Sequence, residues 1–108
     1  MYTAKERQRY NEDREITCKR LGITKNEYNW LRHKGEELRK LYEDNCNGYF
    51  SDETEYYAKT GAIEKVVNAY VKKLGLYIYY QGDPRGVTVY LDKKAIPENN
   101  YTSAECIY

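Results

Sequence analysis

Several residue types that usually build small cores or reactive sites are scarce in this chain. Its 108 residues include one Phe, one Trp, one Met, one His and two Pro. The lone His33 reads as mid-helix, next to Lys34 and near Glu37, and no Ser or Cys has a spacing that marks it as a nucleophile. The three cysteines, Cys18, Cys46 and Cys106, are odd in number and far apart. They lack the C-x₂-C or H-x₃-H spacing of a structural zinc site, so each reads as a small buried hydrophobe in a reducing compartment, and no metal is expected. There is no glycine-rich phosphate loop, because Gly82-Asp83-Pro84-Arg85-Gly86 joins strand to strand and cannot open a helix. The roles of an active site cannot be filled, and the expectation is a non-enzymatic chain with no cofactor.

Long apolar runs are missing too. No stretch of about 18 apolar residues exists, which argues against a membrane span. The opening MYTAKERQRYNEDRE has no apolar centre of the kind a secretory leader needs, so a cytosolic chain is expected. Charge is balanced, with 18 Lys and Arg against 17 Asp and Glu. Residues 1–48 hold 11 basic and 9 acidic side chains and residues 49–108 hold 7 and 8, so neither half is a polycation suited to non-specific phosphate binding.

Tyrosine is what the chain has in quantity, at 14 residues. With aliphatic residues limited, tyrosine must fill core edges with its hydroxyl at water or a partner. On a surface it marks a contact site, because Tyr and Arg supply much of the energy at buried interface centres.

The length suits one domain, 1–108, whose residues 1–12 are a helix end free to fray. A first helix spans 4–21, with Tyr10, Ile16, Cys18 and Leu21 as its apolar positions and Gly22 as its stop. Thr24-Lys25-Asn26-Glu27 is a capping box that starts a second helix, running to about Asn45. Its seam is Tyr28, Leu31, Gly35, Leu38 and Tyr42, with Trp30, Lys34, Glu37 and Leu41 in an adjacent stripe. Ser51-Asp52-Glu53 starts a third helix, with Ser51 as cap. Ile63, Val66, Val67, Tyr70, Val71 and Leu74 form its apolar stripe, Gly61 is a point of interruption and Gly75 a stop.

Residues 76–92 read as a β-hairpin. Asp83-Pro84-Arg85-Gly86 fits a type I turn. A four-residue loop pairs Gly82 with Val87, Tyr80 with Val89 and Ile78 with Leu91, which gathers Leu76, Ile78, Tyr80, Val87, Val89 and Leu91 on one face. Tyr77, Tyr79, Gln81, Thr88, Tyr90 and Asp92 take the other. A bare hairpin is marginal, and residues 103–108 are the candidate for a third strand. The fold class is therefore α+β, three helices followed by an antiparallel hairpin. The third helix is expected to press Ile63, Val66, Val67, Tyr70 and Leu74 onto the hairpin.

Leu21-Gly22-Ile23-Thr24, the stretch 42–48, Leu74-Gly75-Leu76-Tyr77, Gln81-Gly82-Asp83-Pro84-Arg85-Gly86 and Asn99-Asn100-Tyr101 together resemble small proteins encoded by bacteriophages and prophages. The resemblance covers residues 14–108 and carries no catalytic residue with it. It implies an accessory, non-structural product in the cytosol of an infected bacterium.

Two functional readings follow. In the first, the chain binds a host or phage protein, for instance a defence protein, through Tyr77, Tyr79, Arg85 and Tyr90, with self-association into a homodimer as another way to cover the tyrosines. In the second, residues 14–33 form a helix-turn-helix that offers Lys25, Asn26, Asn29, Arg32 and His33 to the DNA major groove. An αα-hairpin with a glycine turn explains the same residues without DNA.

Overall fold

In a computed structural model, residues 3–83, 86–97, 100 and 103–107 are described. Three helices, α1 (Ala4–Leu21), α2 (Lys25–Cys46) and α3 (Glu53–Lys73), precede β1 (Tyr77–Asp83), β2 (Gly86–Asp92) and β3 (Glu105–Cys106). The strands form one antiparallel sheet in the order β1-β2-β3, so the α+β architecture holds and the C-terminal segment supplies a third strand.

Local chemistry accounts for the helix ends. Thr24 and Glu27 cap α2 reciprocally, with Glu27 N–H on Thr24 Oγ1 at 3.2 Å and Thr24 N–H on Glu27 Oε1 at 2.8 Å. Thr3 and Glu6 do the same for α1, through a second T-x-x-E signature. The α3 cap is Asp52, one residue after Ser51, and its carboxylate accepts Thr54 N–H at 2.8 Å. An ionised acceptor at the positive helix end is the stronger cap, and that hydrogen bond also holds the Asp52 carboxyl below its usual range. Gly61 neither breaks nor interrupts α3, which is continuous.

The turns out of α1 and α3 demand glycine. Gly22 and Gly75 have φ of 70° and 74°. Beyond each, the chain closes a Schellman-type bond, Ile23 N–H to Cys18 O and Leu76 N–H to Val71 O, both at 3.0 Å. The α1–α2 link is therefore only three residues, and Cys18 sits buried in the crossing with its thiol 3.8 Å from Thr24 O.

The hairpin register is the expected one: Ile78 pairs with Leu91, Tyr80 with Val89 and Gly82 with Val87. Asp83 and Gly86 also pair, so both belong to the ladder rather than to a loop. Pro84 and Arg85, and with them the proposed turn type, lie outside the described residues. The inward face carries Leu76, Val89 and Leu91 buried and Ile78 and Tyr80 partly buried. Leu76 and Leu91 share one core with Leu21, Ile23, Tyr28, Leu31, Val67 and Val71, and Ile78 and Tyr80 pack against it. Both α2 and α3 support the sheet, α2 beneath β2 and α3 beneath β1. Trp30 of α2 stacks on Tyr70 of α3 with ring centroids 4.2 Å apart.

Some positions differ from expectation. Val66 is 51% exposed, because the stripe assigned to α3 is wider than the surface that α2 and the sheet cover. Cys46 and Cys106 are exposed, one in the last turn of α2 and the other on the outward side of β3; only Cys18 is buried. Ile107, outside the apolar stripes that the sequence shows, is a core residue at 1% exposure. Its N–H donates to Val89 O and its C=O accepts from Arg32 Nη1, each at 2.9 Å.

Candidate functional site

Strand alternation sends Tyr77, Tyr79, Gln81, Thr88 and Tyr90 to the sheet face turned away from the helices. Tyr79 and Tyr90 are direct cross-strand partners with ring centroids 6.4 Å apart. The Tyr90 hydroxyl donates to Gln81 Oε1 at 3.4 Å, across the diagonal. Tyr77 is 52% exposed, while Tyr79, Gln81, Thr88 and Tyr90 are half-buried. Cys106, paired with Tyr90, extends this face onto β3. Three of the four residues read as a binding set, Tyr77, Tyr79 and Tyr90, are thus brought together. Arg85 lies outside the described residues. Cys106 is an addition to the binding set expected from sequence, because its face follows from β3 register, which short-range pattern does not encode.

Tyr80 is on the opposite face. Its hydroxyl donates to Asn68 Oδ1 of α3 at 2.8 Å. Burial, with the Glu64 carboxylate near it, pushes the Tyr80 phenol well above its ordinary value of 10. Burial alone pushes the Glu64 carboxyl up as well. The sign for Tyr80 follows from linkage: a phenol that ionises later when folded than when unfolded adds stability below pH 10, and that stability is lost as pH rises above it. Denaturant midpoints measured from pH 8 to 12 are expected to fall above about pH 10, and Tyr80→Phe is expected to flatten the fall. An unchanged slope in the variant would place the alkaline sensitivity elsewhere.

The five residues offered to DNA divide by contact. Lys25 is ion-paired with Glu15 at 2.9 Å, which holds the Glu15 carboxyl below its usual range. Asn29 Oδ1 accepts from Arg14 Nη1 at 3.2 Å, and Arg32 reaches the Ile107 carbonyl. The guanidinium carbons of Arg14 and Arg32 lie 5.8 and 5.6 Å from the Tyr10 ring centroid. These three residues therefore meet α1 and the C-terminal segment, along the side of α2 that faces α1. Asn26 is exposed, and His33 is exposed with its Nε2 3.6 Å from Glu37.

A shallow groove of about 620 Å³ runs between α2 and α3, floored by Leu41, Ala62 and Ile63 and rimmed by charged side chains. Among the described residues no group of three or more His, Cys, Asp and Glu side chains is placed to hold a metal ion. No helix there is long and apolar enough to cross a membrane. No protein family model, no curated protein and no solved structure matches the chain.

Proposed function

We propose that the chain is a non-enzymatic binding protein whose outward sheet face takes a protein partner. The observation that carries this is the clustering of Tyr77, Tyr79 and Tyr90 on one partly exposed face of the sheet, opposite the helices. Tyrosines held there by cross-strand packing present large contact area at low entropic cost, since their rotamers are already restricted. The resemblance to phage and prophage products supplies the setting: an accessory factor in a bacterial cytosol that acts on a host or phage protein, a defence protein among the targets.

Affinity capture from bacterial lysate, with and without nuclease, tests the reading. Wild type is compared with Tyr79→Ala/Tyr90→Ala and with Arg85→Ala, each checked for an intact fold by circular dichroism. The expected result is a nuclease-resistant partner that the double-tyrosine variant loses. Capture that nuclease abolishes would transfer the function to the Asn26 and His33 side of α2. Capture unchanged by every variant would remove the sheet face from consideration.

A further inference from the structure

The outer edge of β1 is built to pair. The bond from Ile107 N–H to Val89 O shows that the backbone groups of Val89 face β3. Its cross-strand partner Tyr80 therefore makes no ladder bond to β2, and its N–H and C=O point off the opposite edge of the sheet. By alternation Ile78 and Gly82 do the same. Among the described residues β1 pairs with β2 alone. The usual protections of an edge are missing from it. It has seven residues, no Pro and no Lys, a one-to-one register without a bulge, and a charge only at its last position, Asp83.

We infer that two copies of this chain join through their β1 edges, antiparallel about a two-fold axis at Tyr80, into one six-stranded sheet. In that register Tyr80 faces Tyr80 of the second copy, and Ile78 faces Gly82 in both directions. These are the residues whose backbone groups are turned outward, so each pair exchanges two N–H···O bonds. Facing residues share a side of the sheet, so the aliphatic faces stay over the helices and the tyrosine faces become continuous. Any register that is offset by one residue sets outward groups against inward ones.

The helix beneath carries the matching charge pattern. Glu64, Asn68 and Lys72 are spaced at four residues along one side of α3, and Asn68 is tied to Tyr80. A two-fold axis there sets Glu64 against Lys72 of the second copy, twice. Within one chain neither side chain is engaged in an ion pair among the described residues, and Glu64 is partly buried with no cation beside it. This charge complementarity names a second copy, rather than an unrelated strand, as the occupant. The inference is independent of what the tyrosine face binds.

Sedimentation velocity across a concentration series, with residue-resolved amide exchange on the same full chain, tests it. A dimer is expected, with the amides of Ile78, Tyr80 and Gly82 gaining protection as concentration rises while those of Tyr79 and Gln81 are protected throughout. Gly82→Pro removes one outward N–H and leaves the β2 ladder alone, and a Cβ at Gly82 meets nothing within 4 Å. This variant is expected to be monomeric with native circular dichroism. If it fails to fold, Gly82→Lys keeps the N–H and sets an ammonium beside Ile78 of the second copy, with the same expected outcome. Lys72→Glu is expected to weaken association about tenfold and Glu64→Lys/Lys72→Glu to restore it. A single-chain mass at every concentration, with the three outward amides unprotected, would overturn the inference. So would a dimer that survives Gly82→Pro, Gly82→Lys and Lys72→Glu unchanged.

Discussion

Replacing Ile107 by Ala is expected to cost roughly 3 kcal/mol of stability. Ile107 is tied down three times. Its side chain is 1% exposed in the core, its N–H is bonded to Val89, and its carbonyl takes the Arg32 guanidinium. The substitution leaves both backbone bonds possible and removes the buried aliphatic volume, so the loss reports packing. For a domain of this size such a loss lowers the melting temperature by about 15 °C. Urea denaturation at fixed protein concentration, followed by circular dichroism, measures it. Ile16, 56% exposed on α1, is the control; Ile16→Ala is expected to stay within about 0.5 kcal/mol of wild type. Equal effects at the two positions would mean that the C-terminal segment does not dock.

Trp30→Ala is expected to have an effect of similar size, about 3 kcal/mol. The indole joins α2 to α3, stacked on Tyr70 at 4.2 Å with the Lys34 ammonium 5.5 Å from its ring. Trp30→Phe keeps an aromatic plane against Tyr70 and is expected to lose about 1 kcal/mol. Because this is the only Trp in the chain, its fluorescence in the wild type reports directly on the docking of the two helices. A Trp emission maximum that shifts well before the circular dichroism signal is lost would show the pair opening ahead of the fold. Coincident transitions are the expected result.

The parts of the fold that could be read from the sequence are those governed by neighbours in the chain. Thr24 and Glu27 announce the start of α2 because both partners of the cap lie within one turn. The hairpin register could be read because a slip of one residue would put Ile78 on the opposite face from Val89 and Leu91. What stayed hidden depends on residues far apart. In alternation Ile107 shares its phase with Glu105 while Ala104, Cys106 and Tyr108 take the other, so pattern does not mark it as core, and its docking rests on the bond to Val89. Val66 belongs to the α3 periodicity, yet periodicity gives the width of a stripe and not how much of it a neighbour covers.

The tyrosine site was legible for the same reason as the register. Once alternation places Ile78 and Leu91 inside, Tyr79 and Tyr90 must be outside and opposite one another. The DNA-facing set was not settled by pattern, because a polar residue on a helix looks alike whether it meets solvent or another polar helix. Lys25, Asn29 and Arg32 meet Glu15, Arg14 and Ile107. With so few large aliphatic residues, the chain keeps Leu76, Ile78, Val89 and Leu91 on the helix side of the sheet, with Tyr80 beside them, and leaves Tyr77, Tyr79 and Tyr90 to the other.

That division is the centre of the account, and through-space proton contacts in solution test it most directly. The methyl groups of Ile107 and Leu91 should show contacts to residues of α2 and α3, including Leu31 and Val71, while the rings of Tyr79 and Tyr90 show contacts across the strands and none to any helix. Tyr79 or Tyr90 ring protons in contact with α2 or α3, with the Ile107 methyls showing no helix contacts, would mean that the sheet lies the other way up, and both the core and the proposed binding face would be wrong.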